Sequence, residues 1–360
     1  MKIAFFNSTK TWGGGEKWHF EISSALHTKG LETVMFTNHK SELYDRLSST
    51  TQKIYPVKIS NLSFVNPFKI MMLKKIFQKE KLDCIILNLS ADLKVAGFAA
   101  RLAGIKRIIY RRGSAIPVRN SLLNRFIFNN IVTDIIANSE ETRRTILKNN
   151  QHLFPADKIR VIYNGLDIEK YNKAEIITTF PRKGDELVIG NLGRFVRQKG
   201  QHYLVRLAEL LKKRKVPVRI LIGGEGPLKD DIEALARKED VADMIQFVGF
   251  VDDVKGFMSS IDVFVLTSLW EGFGYVIAEA MYFEKPVLAF DVSSNPELIK
   301  DGENGCLFTL GDIESIAKKI EQLQQNRDVI TELGRAGKDS IVKNFTFDKT
   351  LKELHAFLHG

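Results

Sequence analysis

Glu271 and Glu279 are separated by seven residues, in a stretch that runs from a glycine-rich loop into an apolar helical pattern. A buried-strand pattern at residues 261–266 precedes the loop, and Gly272 and Gly274 let the backbone come close to a ligand. Amide groups at the start of such a helix favour an anion or an oxygen-rich group. Glu271 can accept hydrogen bonds from sugar hydroxyls, and Glu279 can hold a vicinal diol such as a ribose.

The two glutamates also have a simpler interpretation, in which Glu271 caps the helix and Glu279 lies on a solvated face. The neighbours of Glu279 argue against a solvated face because most of them are apolar: Val276, Ile277, Ala280 and Met281. A carboxylate buried among such residues needs polar partners. The surroundings therefore favour a binding site.

With this pair of glutamates in a strand–loop–helix unit, the chain resembles the GT-B nucleotide-sugar glycosyltransferases, in particular the retaining family four (glycosyltransferase group 1). Further motifs occur in the family's order along nearly the whole chain: Gly13-Gly14-Gly15-Glu16, Ser139-Glu140, Asn164-Gly165-Leu166-Asp167, Gly193-Arg194 with Lys199-Gly200, and Gly223-Gly224-Glu225-Gly226-Pro227. The resemblance implies that a sugar passes with retention from a UDP- or GDP-linked donor to a hydroxyl of a sugar or lipid-linked acceptor. Bacterial lipopolysaccharide or another envelope glycan is the expected pathway.

Short apolar runs alternate with helical patterns in both halves of the chain, which predicts α/β architecture with parallel sheets covered by helices. The predicted strands are 2–7, 33–37, 84–89, 107–111, 135–138 and 160–163, then 187–192, 219–223, 245–248, 261–266, 286–290 and 306–308. We expect the GT-B fold, with two Rossmann-like doubly wound domains facing a cleft. The predicted acceptor domain is 1–165, the linker 166–186 and the nucleotide-sugar domain 187–340. The resemblance implies that a last helix, 341–360, crosses back to the first domain.

A loop after the first strand of the second domain carries Arg194 and Lys199, which can both reach a diphosphate. They would stabilise the negative charge that the leaving group gains as its bond to the sugar breaks. Arg197 competes on charge alone, and the resemblance selects Arg194 and Lys199. With Glu271 they form the predicted catalytic set.

Other residues are expected to bind substrate. The base of the nucleotide should lie near Gly224 and Val251, and the donor near the backbone of Gly272, Phe273 and Gly274. In the first domain, Gly13, Gly14 and Gly15 let the backbone approach phosphates or the acceptor, or they form a plain turn before a helix. Glu16 contacts the acceptor or complements the helix dipole.

The chain departs from the family where a histidine commonly follows the fourth or fifth strand, because it has Arg111 and Arg112 there. Arginine cannot act as a general base at neutral pH, so one of these residues would stabilise charge instead. A second departure lies at Ser293 and Ser294, where glycines are frequent in the family. Their hydroxyls would replace backbone contacts to the donor.

The net charge of +10 and the pI of about 9.3 favour an anionic partner. Residues 101–130 hold seven basic residues and no acid, with Leu122 and Phe126 among them. They predict either a solvated basic face or contact with an anionic membrane surface. No nucleic-acid motif accompanies the charges, so DNA and RNA are not expected partners.

The 360 residues are enough for two domains, and 44% hydrophobic with 27% charged residues is typical of a soluble globular protein. Cys84 and Cys306 lie in apolar runs, which predicts core packing. No signal peptide or membrane-spanning run is found, so a cytoplasmic protein is expected, peripheral at most to the inner face of the cell membrane. No metal-ligand spacing occurs, and neither a metal nor another cofactor is expected.

Two other functions compete with sugar transfer. A nicotinamide oxidoreductase would need G-x-G-x-x-G after the first strand and an acid after the second, but residues 8–16 lack that spacing and Asn38 follows the second strand. A non-catalytic protein that binds nucleotide-sugars or anionic surfaces is the main alternative.

Overall fold

The computed structural model describes residues 1–182 and 184–360, and Lys183, within the predicted linker, lies outside the described residues. The chain divides into two compact units, Met1–Tyr163 and Asn164–Gly360. The predicted domain boundaries and the crossing of the last helix to the first domain stay predictions.

The first unit is built on a seven-stranded parallel sheet in the order β3-β2-β1-β4-β5-β6-β7. Its strands are β1 (Lys2–Asn7), β2 (Glu32–Thr37), β3 (Lys53–Pro56), β4 (Cys84–Leu87), β5 (Arg107–Arg112), β6 (Asp134–Ala137) and β7 (Ile159–Val161). The central strands are buried except at the first residue of β1 and the two end residues of β5, as is typical of parallel strands covered on both faces.

The helices of the first unit are α1 (Gly14–Thr28), α2 (Glu42–Ser48), α3 (Pro67–Glu80), α4 (Ser90–Asp92), α5 (Phe98–Ala103), α6 (Leu122–Asn130) and α7 (Glu140–Leu147), with a π-helical turn, Leu93–Gly97, between α4 and α5. A single core beneath the sheet joins the inner sides of α3, α5 and α6 through Phe77, Ala100 and Ile127. These three helices therefore cover the same face.

The second unit contains a six-stranded parallel sheet in the order β10-β9-β8-β11-β12-β13. The strands are β8 (Leu187–Leu192), β9 (Val218–Gly223), β10 (Ile245–Gly249), β11 (Val263–Leu266), β12 (Val287–Phe290) and β13 (Cys306–Phe308). In both sheets the strand order reverses beside the first strand, which is the doubly wound pattern. The predicted fold class is confirmed.

The helices of the second unit are α8 (Ile168–Lys173), α9 (His202–Lys213), α10 (Lys229–Lys238), α11 (Val254–Ser259), α12 (Tyr275–Tyr282), α13 (Asn295–Leu298), α14 (Ile313–Gln325), α15 (Asp328–Asn344) and α16 (Phe347–His359). Helix α8 lies in the predicted linker, where Asp167 caps it by accepting from the Lys170 amide at 2.9 Å. The polar break in the sequence pattern therefore contains a short capped helix.

Strand β3 was not predicted, because an edge strand with a Lys-Ile-Tyr-Pro sequence has neither a continuous apolar run nor strict alternation. Cys84 and Cys306 are buried free thiols in β4 and β13, as predicted.

The motif at Asn164–Asp167 has a structural explanation. The Leu166 amide donates to the Phe345 carbonyl, and the Phe347 amide donates to the Leu166 carbonyl, both at 2.8 Å. A Cβ on Gly165 would lie 2.2 Å from the Thr346 oxygen, so only glycine allows this approach. The motif fastens the start of the second unit to the junction of α15 and α16.

Gly200 offers a test of how tightly the loop after β8 is held. Its φ is +61°, and a Cβ there would lie 2.3 Å from the Thr267 oxygen, whereas Gly302, with a φ of +75°, has open space around that position. We expect Gly302→Ala to lower the unfolding free energy by about 1–2 kcal/mol through backbone strain. Gly200→Ala should cost roughly 1–3 kcal/mol more because atoms must shift. Equal losses in urea unfolding would contradict the close approach.

Candidate functional site

The loops that follow β8 and β11 are joined by hydrogen bonds at the carboxyl edge of the second sheet. The Leu269 amide donates to the Gln198 carbonyl at 2.8 Å, and the Gln198 side chain donates to the Trp270 carbonyl at 2.8 Å. The Thr267 hydroxyl donates to the Lys199 carbonyl at 3.1 Å. Because β8 and β11 flank the point where the strand order reverses, this is where open α/β sheets bind ligands.

Lys199 and Glu271 form an ion pair where these loops meet. Lys199 Nζ donates to Glu271 Oε1 at 2.6 Å, and both side chains are largely buried, with 15% and 8% of their surface exposed. Ser294 donates to the Glu271 carbonyl at 3.3 Å and so holds the glutamate's backbone. The structure thus brings together two of the three predicted catalytic residues.

Arg194, the third predicted catalytic residue, lies on the same loop with its side chain exposed, as does Arg197. Neither arginine forms an ion pair within the described part of the chain. The charge of Arg194 is therefore available to an anion at the sheet edge, while that of Lys199 is shared with Glu271.

Glycines bring a second loop against the first. Gly224 has a φ of +135°, and a Cβ on it would lie 2.1 Å from the Gly193 oxygen; the Phe195 amide donates to the Glu225 carbonyl at 3.0 Å. Val251 is half-buried close to Gly223. The predicted nucleotide-base residues, Gly224 and Val251, therefore lie along one edge of the β8–β9–β10 layer.

Glu279 is buried on helix α12, and its Oε1 accepts a hydrogen bond from the Tyr171 hydroxyl at 2.5 Å. The N-cap of α12 is Gly274, with no side-chain cap. The simpler interpretation is therefore wrong for both glutamates: Glu271 does not cap the helix, and Glu279 is not on a solvated face.

Phe273 lies between the two glutamates with its ring buried. The ring contacts those of Tyr275 and Phe345, with centroids 5.6 and 5.8 Å apart. Only the backbone of Phe273, with that of Gly272 and Gly274, can face a ligand.

In the first unit, the three glycines form the start of α1. Gly13 is the N-cap in an extended conformation, and a Cβ on Gly15 would lie 2.9 Å from the Asn88 side chain. Glu16 is buried in the first turn and accepts from Asn7 Nδ2 at 3.0 Å. The glycines are thus more than a plain turn, since Gly15 lets the helix pack against the end of β4.

Arg111 and Arg112 point to opposite faces of the first sheet, because successive residues of a strand alternate. Arg111 is buried, donates to Asn88 Oδ1 at 3.1 Å and places its guanidinium 4.7 Å from the Trp18 ring centroid. Arg112 is half-buried and donates to the Tyr110 hydroxyl at 3.2 Å and to the Ile116 carbonyl. Only Arg111 lies beside the glycines of α1.

A buried polar group near this helix start was not predicted from the sequence. Asp92 is fully buried and accepts from the Ser8 amide at 3.1 Å and the Ser8 hydroxyl at 2.5 Å. Burial raises the pKa of Asp92 to about 7 in spite of these hydrogen bonds. Burial, aided by the charge of Arg111, lowers the pKa of His19 to about 3. Neither residue stands out in the sequence, because Asp92 lies in helix α4 and His19 lies on the buried face of helix α1.

Among the described residues, no group of three or more His, Cys, Asp or Glu side chains is placed to hold a metal ion. None of the described helices is long and apolar enough to cross a membrane.

Comparison with known proteins agrees with this geometry. Residues 172–340 match the family model of glycosyl transferases group 1, and residues 12–170 match that of glycosyltransferase family 4. The chain belongs to the group 1 glycosyltransferases of GT-B fold, and the predicted resemblance is confirmed.

The chain is also similar to individual proteins of known name or structure. The chain is similar to the lipopolysaccharide core biosynthesis glycosyltransferase LpsE of Rhizobium meliloti, with 32% identity over 45% of this chain and 46% of the relative. It is also similar to the UDP-Gal:alpha-D-GlcNAc-diphosphoundecaprenol alpha-1,3-galactosyltransferase of Escherichia coli, with 24% identity over 98% and 95%. HepE of Anabaena, solved with UDP and glucose, has the same fold, with a TM-score of 0.86, 20% identity and full coverage of both chains.

The chain spans less than half the length of the two curated relatives that it matches at 33% and 32% identity, covering 41% and 46% of them.

The raised pKa of Asp92 has a consequence for stability. The carboxyl has a pKa of about 7 in the folded protein against an ordinary value of 3.8, so its stabilising contribution is present below about pH 4 and is lost as the pH rises through 7. As the pH rises from 4 to 8, we expect the unfolding free energy of the wild type to fall relative to that of the Asp92→Asn variant, by up to roughly 4 kcal/mol. His19 is common to both proteins and cancels. Urea unfolding from pH 4 to 8 measures the difference, and a constant difference would contradict the burial effect.

Proposed function

We propose that the protein transfers a sugar from a nucleoside diphosphate to a hydroxyl acceptor, with retention at the anomeric carbon. One observation carries the proposal: the buried pair of Lys199 and Glu271 at the switch point of the second sheet, with the exposed Arg194 on the same loop. This arrangement presents a carboxylate to sugar hydroxyls and cations to a diphosphate. The family to which the chain belongs supports the same reaction.

In this proposal the cations stabilise the departing diphosphate, and no metal ion is used. Arg194 grips phosphate oxygens through its planar guanidinium, and Lys199 supplies a point charge that Glu271 orients. Retention follows the family resemblance: the diphosphate leaves from the same face of the sugar that the hydroxyl attacks, and the leaving phosphate takes the proton of that hydroxyl. The ion pair of Lys199 and Glu271 carries no net charge. When substrate binds, Lys199 can turn to the phosphate and Glu271 to the sugar.

We propose a UDP- or GDP-linked donor bound by the second unit and an acceptor bound by the first. HepE of Anabaena has been solved with UDP and glucose, which supports a uridine donor. The relative from Rhizobium meliloti is named for lipopolysaccharide core biosynthesis, and the relative from Escherichia coli is named for transfer to a diphosphoundecaprenol-linked sugar. We therefore propose a lipid-linked acceptor of lipopolysaccharide or envelope polysaccharide synthesis, with the protein in the cytoplasm at the inner face of the membrane.

The alternative is a protein that binds nucleotide-sugars or anionic surfaces without catalysis. Calorimetry with UDP, GDP and ADP identifies the nucleotide. Release of that nucleotide from its sugar conjugates, measured with and without acceptor, then separates the alternatives. Nucleotide binding without any release would favour the non-catalytic protein.

Arg194→Ala and Lys199→Ala test the diphosphate role. We expect each to lower kcat by about 10²-fold, the effect typical of losing one group that stabilises a developing charge. Lys199→Ala also leaves Glu271 buried without its cation, so its melting temperature must be measured beside its activity. Arg194 is exposed and carries no such complication. Arg197→Ala, on the same loop, is the control, and equal activity in all three variants would refute the assignment.

Substitutions of the two glutamates are expected to have different effects on nucleotide binding and on sugar transfer. Glu279→Gln should weaken nucleotide binding about tenfold, because an amide is a poorer partner for a diol than a carboxylate. Glu271→Gln should lower sugar transfer more than binding of the bare nucleotide. Tyr171→Phe is the matched control, since it removes the hydrogen bond to Glu279 and keeps the carboxylate. If Tyr171→Phe and Glu279→Gln weakened nucleotide binding equally, the role of Glu279 would be structural.

A further inference from the structure

Tyr171 joins helix α8 to the carboxylate that is expected to hold the ribose. Its hydroxyl donates to Glu279 Oε1 at 2.5 Å, and both side chains are buried. A carboxylate buried in an apolar helix needs hydrogen-bond donors, and this donor comes from a residue 108 positions away in the sequence. Since a carboxylate has about four acceptor positions, a bond from Tyr171 still lets it accept from a diol.

The ring of Tyr171 is fixed by its contacts with the end of α12. Its centroid lies 6.0 Å from that of Tyr282 and 5.5 Å from that of Phe283, whose ring stands perpendicular to it. The Tyr282 hydroxyl donates to Asn172 Oδ1 at 2.6 Å and adds a second hydrogen bond between the two helices. The Tyr171 hydroxyl therefore reaches Glu279 from a rigid position, from which it can set the plane of the carboxylate.

The segment after α8 is also fastened within the second unit. Asp253, the N-cap of α11, accepts hydrogen bonds from the amides of Ile177 and Thr178 at 2.7 and 2.8 Å. Lys255 Nζ donates to the Ala174 carbonyl at 2.6 Å. Because the segment is held at several points, the tyrosine on α8 needs no further ordering when a nucleotide arrives, and less conformational entropy is lost on binding.

The orientation of the Glu279 carboxylate matters because a diol offers two neighbouring hydroxyls that must be met at once. The last side-chain torsion of a glutamate is broad, so the carboxylate needs a partner to hold one orientation. A hydroxyl donor restricts that torsion and leaves the negative charge in place, whereas Lys199 neutralises the charge of Glu271. The bond from Tyr171 therefore orients Glu279 while keeping it able to form charge-assisted hydrogen bonds with a diol.

We propose that Tyr171 is a positioning residue for the nucleotide, and that its hydroxyl turns the Glu279 carboxylate toward the vicinal diol of the ribose. The proposal rests on the proposed transfer from a nucleoside diphosphate and adds to it a residue that lies outside the motif of the two glutamates. The competing role of Tyr171 is purely structural, as a fastening between α8 and α12. The two roles differ in their effect on a nucleotide that lacks the diol.

Calorimetry of the full chain with UDP and with dideoxy-UDP, the analogue without the two ribose hydroxyls, separates these roles. GDP and its dideoxy analogue replace them if GDP is the nucleotide that binds. We expect the wild type to bind UDP about tenfold more tightly than dideoxy-UDP. Tyr171→Phe keeps the ring and should weaken UDP binding about threefold while leaving dideoxy-UDP binding unchanged, because the lost hydrogen bond acts only through the diol.

Tyr282→Phe is the matched control. It removes a hydroxyl between the same two helices, the one that donates to Asn172, and should leave the preference for UDP unchanged. A double variant tests whether Tyr171 acts through Glu279: with Glu279→Ala in place, Tyr171→Phe should cause no further loss of UDP affinity. Melting temperatures check that each variant folds, and the ratio of the two affinities does not depend on the folded fraction.

Equal losses of affinity for UDP and dideoxy-UDP in Tyr171→Phe would show a structural role and overturn the proposal. A wild type without preference for UDP, an unchanged preference in Tyr171→Phe, or an equal drop in Tyr282→Phe would overturn it too. If binding follows the expected pattern but no nucleotide is released from its sugar conjugates, the proposed sugar transfer fails and the role of Tyr171 stands. If transfer occurs and Tyr171→Phe keeps the full preference, the transfer stands and the role of Tyr171 fails.

Discussion

The ion pair of Lys199 and Glu271 sets the conditions that the rest of the second unit must meet. A buried lysine or glutamate alone would be costly, so the loops after β8 and β11 must bring both charges within 2.6 Å. That approach depends on Gly193 and Gly200, where a Cβ would meet the Lys199 side chain or the Thr267 carbonyl. Since the pair is neutral by itself, an arriving diphosphate needs another cation, and the exposed Arg194 is on the same loop.

The sequence predicted most of the fold because nearly all strands are buried on both faces. Continuous apolar runs in parallel sheets are the strongest local pattern, and the strands Lys2–Asn7, Leu187–Leu192 and Cys306–Phe308 match the predicted ranges. The edge strand Lys53–Pro56 was missed because its burial is partial. Family motifs located Glu271 and Lys199, but only the structure shows that they form a pair.

Long-range side-chain contacts could not be predicted from local patterns. Tyr171 donates to Glu279 across 108 residues of sequence, and Ser8 donates to Asp92 across 84. Nothing near Tyr171 distinguishes it from other residues of a polar segment. The packing of distant elements selects such partners, and a single sequence without that packing gives no signal for them.

The two arginines at the end of β5 could have been told apart from the alternation of side chains along a strand. The predicted strand ended at Arg111, whereas the structure continues it through Arg112, and the alternation of side chains then separates the two. Arg111 lies near His19, whose pKa is lowered to about 3 by burial and by the charge of Arg111, while burial raises the pKa of Asp92. Arg112 faces the other side, where it donates to the Tyr110 hydroxyl and the Ile116 carbonyl. One strand thus presents one guanidinium to the helix start and the other to the opposite face of the sheet, because successive side chains of a strand alternate.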